Sequence, residues 1–153
     1  MQLTYSKEMA EALLGLKGGT FQNDSIISML AEAAVGIGMP VERGTDKAKQ
    51  CKALAAVDNF AGVALLTLGM EQDASGVVQY ADEAMVPVMQ QGRVYVTAGA
   101  AIVAGAEVIP ATSGKFSTGT SDAVVKAFAV EAAAADGDLV LIQLSGLQGT
   151  PAT

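Results

Sequence analysis

Residues 84–110 read AMVPVMQQGRVYVTAGAAIVAGAEVIP, and the spacing of apolar residues in this stretch decides the fold class. In Arg93-Val94-Tyr95-Val96-Thr97 the valines recur at every second position. Val94 and Val96 therefore share one face, which is the period of a half-buried strand and not of a helix. Short apolar segments at 84–90, 93–97, 100–104 and 106–110 are expected to be strands, with Gln91-Gly92 as the tight turn of a hairpin. Upstream, the same pattern predicts strands at 25–30, 34–42, 48–56, 60–68 and 76–80; downstream it predicts strands at 122–132 and 138–145. In Leu139-Val140-Leu141-Ile142-Gln143-Leu144 both faces are apolar, which places that strand inside a sheet. Asp136-Gly137-Asp138 holds the Asp-Gly pair that favours a turn with positive φ. Ala123 to Ala135 has the alanine content of a helix, but Val124, Val125, Phe128 and Val130 favour a strand. The expected class is all-β.

The chain has 153 residues, enough for one domain with its own core. Hydrophobic residues make up 51% and charged residues 16%, a composition that folds. The apolar residues are mainly Ala and Val, with no Trp and 5% aromatics, which argues against a deep aromatic ligand pocket. The net charge of -7 disfavours nucleic acid and anionic membrane as partners. A mean hydropathy of +0.39 raises the question of a membrane span. The longest uncharged runs, Asn59 to Met70, Val94 to Ala106 and Leu139 to Thr153, fall short of the ~18 to 20 apolar residues that crossing requires. Met1 to Leu16 carries Glu8 and Glu11 and lacks a basic start before an apolar stretch, so no secretory signal is expected.

The expected organisation is an N-terminal arm over 1–23, a β-rich core over 24–145 and a tail over 146–153. In the arm, Met9, Leu13, Leu14 and Leu16 form a short amphipathic piece broken by Gly15 and Gly18-Gly19. Such a piece is too short to be stable alone and must lay its apolar side chains on something else. The candidate partner-binding residues are therefore Tyr5, Met9, Leu13, Leu14 and Leu16. The alternative is that they cap the chain's own core.

Chemistry-bearing patterns are sparse. The chain has no His, which removes Ser-His-Asp and Cys-His arrangements, and a single cysteine, Cys51, supplies too few ligands for a zinc site. Cys51 stands between Gln50 and Lys52 in a charged segment, and with no His in the chain to serve as a base it reads as a passive side chain. Gly114-Lys115 begins like a phosphate loop, but position 109 is Ile and Phe116 stands where Ser or Thr is required. Gly36-Ile37-Gly38 lacks the third Gly of a dinucleotide fingerprint, since residue 41 is Val. Asp136 and Asp138 read as turn residues, and Asp82-Glu83 and Glu71-Gln72-Asp73 as solvated loop faces. No catalytic residue, metal or cofactor is expected. The competing readings are a β-sandwich ligand- or receptor-binding module and, last, a hydrolase built on a carboxylate pair.

Four stretches carry a family likeness: SIISMLAEAAVGIGMPVERG (25–44), FAGVAL (60–65), the segment from Gln79 to Val108 containing VPVMQQGRVYVTAG and AGAEV, and AFAVEAAAADGDLVLIQL (127–144). In these the chain resembles phage structural cement proteins, also called capsid decoration proteins. The resemblance implies a jelly-roll or related β-sandwich core with an extended arm. It also implies a non-enzymatic role on the outer surface of a virion head shell. The implied partners are the major capsid protein and further copies of the chain, as homodimer or homotrimer, after synthesis in a host cytoplasm.

Overall fold

A computed structural model describes residues 14–15, 17, 24–67, 72, 75–123 and 125–145. The described residues form eleven strands and no α-helix: β1 (Ser25–Ala31), β2 (Val35–Gly36), β3 (Pro40–Arg43), β4 (Gln50–Ala53), β5 (Phe60–Ala64), β6 (Gln79–Tyr80), β7 (Met85–Thr97), β8 (Glu107–Pro110), β9 (Phe116–Thr118), β10 (Lys126–Ala129) and β11 (Leu139–Ser145). A single 3₁₀ turn, Val57–Asn59, leads into β5. The all-β class expected from the sequence is the class observed.

Nine strands form one sheet in the order β1-β4-β3-β5-β7-β11-β10-β8-β9. An additional antiparallel pairing of β1 with β7 closes the first five into a barrel. From β7 onward the sheet continues as a second half, and its far strand curls back so that Phe116 of β9 bridges Ala98 just past the end of β7. This arrangement is a barrel extended through one long strand, and by itself it does not define the jelly roll or sandwich expected above.

One irregularity shifts which positions of β7 face which core. Ser25 pairs with Gln91 and Ile26 with Met89, so Gln90 is an extra residue, a β-bulge. Before the bulge, Val86 and Val88 point into the barrel with Met29, Val35, Val41 and Cys51. Beyond it the parity is reversed. Met89 on one side of the bulge and Val94 and Val96 on the other all enter a second core, with Val63, Phe116 and Ile142. Gly92 adopts φ 128, and a Cβ there would lie 2.6 Å from an Asp24 carboxylate oxygen, so only glycine suits the bend. The tight turn expected at Gln91-Gly92 is thus a bulge inside a single 13-residue strand.

Other departures have local causes. The 34–42 segment is split by a turn at Ile37-Gly38. The segment 100–104 is a turn region whose Ile102 makes one bridge to Ala133. β9 was not anticipated; it is fixed by its pairing with β8 and by the edge-to-face packing of Phe116 on Phe60, with ring centroids 5.9 Å apart. β11 lies between β7 and β10, as its two apolar faces required. Ala123 to Ala135 contributes strand β10, not a helix.

Candidate interaction surface

The arm enters the fold at a defined point. Gly15, at φ 75, donates its N–H to the Tyr95 carbonyl (2.9 Å) and accepts from the Leu66 N–H (2.9 Å). A Cβ on Gly15 would lie 2.8 Å from the Gly38 nitrogen and 3.0 Å from that of Leu66, so the approach requires glycine. Lys17 bridges Val94 in antiparallel fashion, and its ammonium pairs with the Asp24 carboxylate. These contacts tie the segment to the second half of β7 and to the chain just past β5.

Leu14 is half-buried, with its side chain against Gly38. Tyr5, Met9, Leu13 and Leu16 lie outside the described residues.

The acidic groups that could carry chemistry are engaged locally. Glu42, buried on β3, accepts from the N–H groups of Ala55 (3.0 Å) and Ala56 (3.3 Å) and pairs with Lys52 at 3.5 Å. Asp138 accepts from Ala134 and Ala135 N–H (3.1 and 3.0 Å), which shapes the turn ahead of β11, where Gly137 takes φ 91. Asp136 pairs with Lys115 at 2.6 Å. Cys51 is fully buried in the barrel core, and burial pushes its thiol up from the ordinary value. Among the described residues no three His, Cys, Asp or Glu side chains cluster as a metal site.

What the surface does offer is apolar. On the barrel, Ile26, Leu30 and Met85 are 43%, 37% and 58% exposed, and Leu30 and Met85 are direct cross-strand partners. On the second half, Val103, Phe128 and Leu139 are exposed. The reading of the sequence did not single out these residues. In SIISMLA both parities are apolar, so the outward one is set only once the barrel interior is known.

The comparisons with known proteins agree with this architecture. Among solved structures, a chain from "The capsid of Myoviridae Phage XM1" shares the fold at TM-score 0.59, with 13% identity over 94% of this chain and 96% of that one. A search of curated proteins found no match. The family described as Structural cement protein (E217 gp24/Pam3 gp6) matches residues 1–145, nearly the whole sequence. The chain belongs to the phage structural cement protein family.

Proposed function

We propose that the protein binds the outer surface of a phage head shell across neighbouring capsomers, as a homodimer or homotrimer, and holds them together without catalysis. The family match over residues 1–145 carries this reading. Internal pressure strains the contacts between capsomers, and a subunit laid across them adds apolar burial that must be undone before they separate. Linked modest contacts then act together, which slows release more than any one of them could.

The arm supplies one set of contacts in this reading, with Tyr5, Met9, Leu13, Leu14 and Leu16 meeting the major capsid protein or an adjacent copy. Methionine suits such a surface because its side chain adapts to irregular partners. The anchoring of Gly15 to Tyr95 and Leu66 supports this role, since it fixes where the arm departs from the core. It also dictates the test. A deletion of residues 1 to 19 would remove Gly15 and Lys17, so the informative truncation stops at Leu13. Co-sedimentation of purified protein with expanded shells should show retention of the full chain and weaker retention of the truncated one, with the same melting temperature. No sedimentation of the full chain with shells would sink the cement reading. Equal retention of both would remove only the arm from it.

A further inference from the structure

The outer face of the barrel carries a strip whose neighbours are charged with opposite sign on its two sides. Ile26 and Leu30 stand four positions apart on the same outward face of β1, with Ser28 between them, and Met85 of β7 is paired with Leu30. At the Leu30 end, the Leu30 N–H donates to the Lys49 carbonyl (2.8 Å), which fixes the turn containing Lys47 and Lys49 on one side. On the other side the Glu83 N–H donates to the Ala31 carbonyl (2.8 Å), which fixes the turn containing Asp82 and Glu83. Leu30 and Ala31 are consecutive, so the basic and acidic flanks sit at the same height along β1. All four charged side chains are exposed and none makes a salt bridge among the described residues, though Lys47 lies near enough to Glu32 to help hold its carboxyl below the ordinary value. The basic side also holds two carboxylates, Glu32, which accepts from Thr45, and Asp46, which accepts from the Ala48 N–H, and Arg43, which donates to the Lys47 carbonyl, gives that side three cations against those two. At the far end of the strip, Asp24 is paired with Lys17.

The geometry points to a second copy of this chain as the occupant of the strip. A two-fold axis running along β1 maps each side of the strip onto the opposite side of the partner. Apolar residues then meet apolar residues, while Lys47 and Lys49 of each copy face Asp82 and Glu83 of the other. Two chains of net charge -7 repel one another over most approaches. The strip is a neutral place where that repulsion is replaced by complementary flanks, which set orientation and register. The inference gives a face to the homo-oligomer of the proposed function, and it rests on that reading only for its biological setting.

Sedimentation-velocity measurements on the full chain over a concentration series test it without any shell. The wild type should self-associate as a dimer. Leu30→Asp combined with Met85→Glu, both at exposed positions, should abolish the dimer while far-UV circular dichroism and the melting temperature stay the same. Lys47→Glu with Lys49→Glu should weaken association by about tenfold or more. Adding Asp82→Lys and Glu83→Lys to that pair should restore it, because only a contact between copies brings the two flanks together. A monomeric wild type at high micromolar concentration would overturn the inference, as would a dimer or trimer indifferent to the Leu30 and Met85 changes. Loss of shell co-sedimentation in the Leu30 and Met85 variant with self-association intact would assign the strip to the shell protein instead. A dimer that obeys the charge swap yet fails to bind shells would leave the inference standing and remove the cement reading.

Discussion

Glu42 is a charged side chain buried at the junction between β3 and the turn before β5, and its environment decides how the protein responds to acid. Burial pushes its carboxyl up, but the N–H donors of Ala55 and Ala56 and the Lys52 ammonium favour the ionised form and together hold it below the usual carboxylate range. A carboxylate whose folded value is depressed adds stability above its unfolded value, near ~4.3. That contribution fades as pH falls through the lower folded value. Glu42→Gln should therefore cost about 1–3 kcal/mol at neutral pH, because two backbone donors lose a charged acceptor. The gap should narrow as pH drops below ~4, where the wild-type carboxyl is itself protonated. Urea midpoints of both proteins at pH 7 and pH 3 measure this, and a gap that does not change with pH would show that the charge has no such role. Cys51 makes a simpler case. Its sulfur is enclosed in the barrel core and its thiol is pushed up, so Ellman's reagent should leave the native protein unlabelled and react fully in denaturant.

At the scale of elements, β7 determines the shape: its two faces serve two cores, and its bulge shifts by one residue which positions belong to which face. Removing Gln90 would leave Val94 four positions after Met89, so strict alternation would keep Val94 and Val96 in the second core, and what the strand would lose is the local bend and twist of the bulge. Losing that bend should cost about 1–3 kcal/mol, whereas Gln90→Ala, which keeps the extra residue, should stay within about 1 kcal/mol. Thermal melts of the two variants compare them directly; equal destabilisation would mean that the residue's side chain matters and not its presence. The bulge also explains what could be read from the sequence. Val94, Val96 and the doubly apolar β11 were legible because their neighbours in the chain fix their periodicity. Gln91-Gly92 was not, since a glycine at positive φ serves a hairpin turn and a bulge equally well. The choice between them is made by the register of β1, more than sixty residues upstream along the chain. β9 escaped for the same kind of reason: Phe116-Ser117-Thr118 has one large apolar side chain, and its strand conformation comes from β8. The strip of Ile26, Leu30 and Met85 was likewise invisible, because alternation assigns a face only when one parity is polar.

For the molecule as a whole, the question is whether the barrel and the second half behave as separate units. Each has its own buried cluster, with Met29, Val35 and Val88 in one and Val96, Phe116 and Ile142 in the other. Yet the same backbone builds both. In β5 and the residue after it, Val63 and Leu65 enter the second core while Ala64 enters the barrel; in β7, Val86 and Val88 enter the barrel while Met89, Val94 and Val96 enter the second core. Melting one cluster would release strands whose opposite faces complete the other, so the two should unfold together. Met29→Ala, in the barrel, and Ile142→Ala, in the second half, should each cost about 2–5 kcal/mol. Both should move one shared transition and not split it. Tyr80, buried in the barrel core, and Tyr95, on β7 in the second half, provide local reporters on the two sides. Tyrosine absorbance in Tyr80→Phe and Tyr95→Phe backgrounds, followed beside far-UV circular dichroism, should give coincident curves for the wild type and both alanine variants. A Met29→Ala protein whose Tyr80 signal melts well before its Tyr95 signal would mean that β7 links two independently stable bodies, and strain applied to one would not be resisted by the other. Coincident melting would make the whole sheet the unit that carries load, as a chain that must resist separation from several neighbours at once requires.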